Sequence, residues 1–212
     1  MQFPNAFKGV SKLFIAEILA LIGALVMLVG AGLTVGGSVA AYNSGSLDAA
    51  SGLVTGGAIT MLGGLVLPII GYIMQLVGLS QASKDEPKNF KVAFIAAIIA
   101  LIASLVVGFT TSIEWLNKIL TVVSGVGGII TFFFSIAGIM ELARRMNRPE
   151  MVSLGNKISW MVVITYVLSF VIRLIPIAEL AAVLAIASAI FSIITYIIFL
   201  VYLSRAKKML AA

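Results

Sequence analysis

The chain has 212 residues, of which 61% are hydrophobic and only 10% charged, and its mean hydropathy is +1.18. Soluble domains carry about 25% charged residues, so this composition excludes a water-soluble globule and reads as an integral membrane protein. Cysteine and histidine are absent, which removes disulfides, thiolate nucleophiles, imidazole bases and Cys/His metal sites. The net charge of +6 does not imply nucleic acid, because the basic residues sit at the edges of apolar segments.

A bilayer core of about 30 Å is crossed by about 20 residues at 1.5 Å each. Six stretches qualify: 12–41, 53–80, 91–110, 116–142, 158–175 and 178–203. The expected fold class is an all-α integral membrane protein whose six transmembrane helices form three tandem hairpins, 12–82, 88–146 and 155–208, in a single membrane domain.

At the start of the chain Phe3, Phe7, Val10 and Phe14 follow helical spacing beside Lys8 and Lys12, an interfacial stub that Pro4 and Gly9 are expected to limit. Residues 13–29 are too long for the apolar core of a signal peptide, although Ser38, Val39 and Ala40 offer small residues for cleavage. Within the first hairpin Gly23, Gly30 and Gly37 are spaced by seven, as are Gly57, Gly64, Gly71 and Gly78. At about 3.6 residues per turn each set makes one stripe, and in lipid such stripes let helix backbones approach. Pro68 removes a backbone donor near the middle of the second span and is expected to kink it.

Glu17 lies about 7 Å deeper than Lys12 along an upright helix and is the ionisable residue that most needs a reason. With Gln75, at similar depth in the second span, it is a candidate ligand or proton contact. The stretch "YNSGSLDAASG" (42–52) reads as a long outer loop. Tyr42, Asn43, Asp48, Glu114, Arg173 and Glu179 are the candidates for an outer pocket.

The second hairpin repeats the first. "FIAEILALIGALV" (14–26) and "FIAAIIALIASLV" (94–106) agree at nine of thirteen positions with an offset of 80. Downstream, an offset of 60 lays Gly64, Gly71 and Gly78 on Ser124, Thr131 and Gly138. "TSIE" (111–114) matches a capping box, Trp115 an interfacial anchor, and Glu114 with Lys118 a helical ion pair. The third hairpin copies the layout without the letters, with Pro176 opening its last span between Arg173 and Glu179. "KDEPKN" (84–89) and "RRMNRPEMVSLGNK" (144–157) read as linkers.

Of the fourteen Lys and Arg residues, all but Lys118 and Arg173 fall on one side of the predicted spans. Positive loops stay cytoplasmic, so both termini are expected inside, at a cell (inner) membrane. The basic clusters there are expected to meet anionic lipid headgroups. "GAGLTVG" (30–36) lacks the spacing and the preceding strand of a dinucleotide loop.

The hairpin layout resembles that of mitochondrial carriers, but their proline, acidic, basic motif at the end of each odd span is missing. Six spans with a long first outer loop also resemble the vitamin-binding subunits of bacterial energy-coupling importers, and "AEILALIGA" offers Ala16, Ala20 and Ala24 at the spacing such subunits use for docking. No catalytic residue, cofactor-binding residue or metal ligand emerges. The expected function is therefore a non-catalytic helix-packing or assembly component, with a protein partner or a second copy. The alternative is a small-solute transporter or the substrate-binding membrane subunit of an importer.

Overall fold

The computed structural model describes residues 2–44, 47–110, 112–174 and 178–211; the side chains of 40, 41, 43–50, 166, 169–183, 185 and 186 lie outside the description. Among the described residues six α-helices follow one another: α1 (Pro4–Ser44), α2 (Leu47–Ala82), α3 (Pro87–Phe109), α4 (Glu114–Arg145), α5 (Pro149–Leu174) and α6 (Ala178–Ala211). There is no strand among the described residues. Five of the helices, α1 to α4 and α6, contain segments long and apolar enough to cross a membrane.

Each predicted stretch falls inside one helix to within a residue, but the helices run further than the spans. The stretch 42–52 is not a long loop, since α1 continues to Ser44 and α2 begins at Leu47. Leu47, Ala49 and Ala50 are strong helix formers. Nor does Pro4 or Gly9 limit the N-terminal stub. Pro4 occupies the first helical position, where its missing N–H costs nothing.

The chain divides into two compact units, one of residues 12–77 and one of residues 1–11 with 78–212. In the larger unit α3 buries Phe90, Ala93, Ala96, Ala97, Ala100 and Ala103, a stripe of mostly small residues. α4 answers with Gly127, Thr131, Ser135 and Gly138. A β-carbon on Gly127 would stand 2.9 Å from that of Ala100, and one on Gly138 would stand 2.7 Å from the Phe90 ring. The hydroxyls on this face bond inward: Thr131 Oγ1 donates to the Gly127 carbonyl at 2.8 Å, and Ser135 Oγ to that of Thr131 at 2.7 Å. Ser104 and Ser124 share a hydrogen bond of 2.5 Å across the two helices. α5 buries Met151, Gly155, Ile158 and Val162, and Gly155 faces Met140 of α4 and the Tyr202 hydroxyl of α6.

Three turns organise this unit. In the first, two adjacent carboxylates cap two different helices. Asp85 accepts from the Ala6 amide at 2.7 Å and from Asn5 Nδ2 at 2.9 Å, closing the start of α1. Glu86, fully buried, accepts from the Asn89 and Phe90 amides at 2.9 and 3.3 Å, closing the start of α3 ahead of Pro87. Opposite this corner Gly9 lies against α2, where a β-carbon would stand 2.7 Å from the Ala82 nitrogen. That contact is why a glycine serves inside α1.

At the second, between α3 and α4, the described residues differ from the capping box expected there, whose Thr111 lies outside the description. Ile113 occupies the N-cap of α4 with no side-chain hydrogen bond, and Glu114 instead holds Lys118 Nζ at 2.6 Å. The turn is closed by the Ile113 amide on the Thr110 carbonyl, and by Asn117 Nδ2 reaching back to the Val107 carbonyl at 3.1 Å. The third turn, 146–148, ends α4 with Asn147 at φ 53° and the Arg148 amide on the Ala143 carbonyl at 2.8 Å. This left-handed cap is the one that asparagine fills when glycine is absent.

Candidate functional site: the small-residue seam and its flanks

Residues 12–77 pair α1 with α2 along a ladder of glycines. Gly30 and Gly57 face each other. A β-carbon on Gly30 would stand 2.8 Å from the Gly57 carbonyl oxygen, and one on Gly57 would stand 2.7 Å from the Gly30 carbonyl oxygen. Seven residues along each helix, Gly23 and Gly64 repeat the arrangement at 2.9 and 3.2 Å. A further seven along, a β-carbon on Gly71 would lie 2.8 Å from the Ala16 carbonyl; at the other end Gly37 meets Leu53 and Val54. Real β-carbons essentially never come within 3.0 Å of another atom, so most of these positions admit only hydrogen.

Two forces act at such a crossing. Apolar side chains gain little by leaving lipid, so close dispersion contact holds the helices together. In addition, a carbonyl on one helix faces the side-chain position of the glycine opposite, an approach of the kind that weak Cα–H···O bonds use. Pro68 fits the same scheme. It deprives the Gly64 carbonyl of its partner four residues on, and that carbonyl faces Gly23, against which the Pro68 ring also packs. Gly78, buried in the larger unit, presents its carbonyl to Gly9. By contrast Gly32, Gly36, Gly52, Gly56 and Gly63 have nothing within 4 Å of a β-carbon position.

The polar candidates flank this seam. Glu17 follows Ala16, and Gln75 lies one turn beyond Gly71, so both stand beside the point where Gly71 meets Ala16. Each is half-buried, and Glu17 is not without an interaction partner. Ala16 is buried, Ala20 half-buried and Ala24 exposed, so the three alanines do not form one outward docking face. At the far end of α1 from Glu17, Tyr42 is 91% exposed. The Glu114–Lys118 pair is likewise open to its surroundings, at 82% and 74% exposure. Asn43, Asp48, Arg173 and Glu179, like Pro176, lie outside the described side chains.

Asp85, Glu86 and Asn147 hold structural positions that the linker reading passed over. The signal for Glu86 was present, an acidic residue immediately before a proline that opens a helix. Asn147 likewise precedes Pro149 by two, the spacing of a left-handed helix stop. Nothing local in the sequence marks Asp85, whose partners are 79 and 80 residues away. No family model matches the chain, and no curated protein or solved structure matches it.

Proposed function

We propose that the chain is a non-catalytic polytopic protein of a bacterial-type inner membrane, with six spans in three tandem hairpins, both termini cytoplasmic, acting as a helix-packing or assembly component. The observation that carries this reading is the seam. Backbone stands against backbone at Gly23–Gly64 and Gly30–Gly57, which leaves no room for a solute between α1 and α2 along that length.

Several further observations support it. The basic residues bias one side of the predicted spans, as those of cytoplasmic loops do, and clusters such as Arg144, Arg145 and Arg148 suit attraction to anionic headgroups. Under the offsets of 80 and 60, Ser104–Ser124 and Phe90–Gly138 correspond, to within one residue, to the contacts Gly23–Gly64 and Gly9–Gly78. This matches duplication of a hairpin with its register kept. The open glycines, beside Leu28, Ile59 and Leu62 at 72%, 65% and 64% exposure, give the first hairpin an outer face that another helix can approach closely.

Reconstitution tests the reading. Detergent-solubilised protein is expected to migrate as an assembly larger than one chain, and replacing Gly56 and Gly63 by leucine is expected to reduce its size. Vesicles carrying wild-type, Glu17→Ala or Ser44→Ala protein are expected to take up solutes no faster than empty ones. Uptake that is lost in Glu17→Ala and kept in Ser44→Ala would establish the transporter instead.

A further inference from the structure

The elbow between α4 and α5 encloses an open cleft of about 570 Å³. Arg144, Arg148 and Lys157 line it, and among the described residues no carboxylate does. The nearby acids lie outside it: Glu141 bonds Arg144 and Arg145 at 3.4 and 3.3 Å, and Glu150 lies 3.9 Å from Arg148. Lys157 has no ion-pair partner among the described residues. Ser153 and Asn156 add uncharged polar groups to the wall, and the first turn of α5 adds the positive end of a helix dipole. The left-handed Asn147 fixes the elbow that brings Arg144 and Arg148 to the head of α5.

The cleft follows one face of α5. Its residues Pro149, Ser153, Asn156 and Trp160 recur at helical spacing, opposite the packed stripe of Met151, Gly155, Ile158 and Val162. The lined face is therefore turned away from the protein interior. From Pro149 to Trp160 it extends about 16 Å at 1.5 Å per residue. Cations gather at the elbow, and the indole of Trp160, 69% exposed, stands at the far end, the residue type found at the level of lipid headgroups. A second hollow of about 330 Å³, with Arg205 and Lys208 in its wall, shares Arg148 with the first and contains Glu150 as its one acid.

We infer that this cleft is a discrete site for the phosphate of an anionic phospholipid, held by Arg144, Arg148 and Lys157 with its glycerol and chains along α5 toward Trp160. The inference rests on the proposed membrane orientation only for which leaflet supplies the lipid. Free phosphate shares the same chemistry, but an outward face ending on an interfacial tryptophan favours a ligand that stands in the bilayer. A discrete site differs from diffuse attraction in one measurable respect. In diffuse attraction every cytoplasmic cation counts alike, at about fivefold in affinity per charge, whereas in a site position matters.

Native mass spectrometry of the full chain in detergent, titrated with phosphatidylglycerol and with phosphatidylcholine, reads this directly. One phosphatidylglycerol is expected to bind in preference to phosphatidylcholine. Arg148→Gln with Lys157→Gln should weaken it at least tenfold, Arg148→Lys with Lys157→Arg should largely restore it, and Lys88→Gln should leave it unchanged. Melting temperatures of all variants separate lost binding from lost folding. Equal weakening by Lys88→Gln and Lys157→Gln, or no preference over phosphatidylcholine, would overturn the site. Displacement of the lipid by inorganic phosphate at matched concentration would overturn the lipid as its occupant. Cysteine-accessibility labelling at Met146 reports the leaflet separately, so binding and orientation can fail independently.

Discussion

Replacing Gly30 by alanine adds one methyl group at a rung of the seam where its β-carbon would stand 2.7 Å from Met61 Cγ and 2.8 Å from both the Gly57 oxygen and the Met61 nitrogen. The flexible Met61 side chain can turn aside, but the two backbone atoms cannot, so α2 must move outward and the contacts at the neighbouring rungs loosen with it. Overpacking of this kind costs about 1–3 kcal/mol, against which alanine returns about 0.5–1 kcal/mol of helix propensity over glycine. A net loss of up to about 2.5 kcal/mol, centred near 1 kcal/mol, is expected. Gly32, two residues on, has nothing within 4 Å, so Gly32→Ala keeps only the propensity gain of up to about 1 kcal/mol. The two variants therefore differ in sign. Steric-trap unfolding in bicelles measures both on one scale, and shifts of the same sign and size would refute the seam as the cause of glycine at these positions.

Other expectations follow from the turns and the pairs. Asp85→Ala removes both bonds at the start of α1 and should cost about 1–2 kcal/mol, seen as faster amide exchange over residues 5–8 and faster tryptic cleavage at Lys8. Glu86→Ala leaves the Asn89 amide without its acceptor and the Phe90 amide without its second one, and should lower stability by a similar amount of about 1–2 kcal/mol, read by thermal denaturation in detergent. A double-mutant cycle on Ser104→Ala and Ser124→Ala should return a coupling of about 0.6 kcal/mol, the average for hydrogen bonds between membrane helices. Lys118→Ala removes an exposed pair and should change stability by less than about 0.5 kcal/mol.

How far the chain is readable before folding depends on the range of the interaction concerned. The seam glycines were legible because a spacing of seven phases them onto one helix face, and that same phase separates Gly30 and Gly64, which meet a neighbour, from Gly32 and Gly63, which do not. Helix ends were less legible. The apolar pattern marks where lipid begins, whereas α4 and α5 continue into the basic segments because Glu141 pairs with Arg144 and Arg145 and because Pro149 can open a helix. Gly9 and Asp85 were not legible at all. Each takes its role from a partner distant in sequence, Gly9 from Gly78 and Ala82 and Asp85 from Asn5 and Ala6. The capping-box reading of "TSIE" put the helix start too early: α4 begins at Glu114 with Ile113 as its N-cap, so that carboxylate reaches forward to Lys118, while Thr111 lies outside the described residues.

The central claim, that α1 and α2 form a fixed seam and not a path that opens and closes, is tested most directly by spin labels at Leu28→Cys and Leu62→Cys. The chain has no cysteine of its own, and these positions are 72% and 64% exposed on the two helices. Double electron–electron resonance in nanodiscs, with and without an imposed ion gradient or a library of candidate solutes, is expected to give one narrow distance distribution that does not move. Two interconverting distances, or a shift on adding a solute, would contradict the account and make the hairpin a moving part.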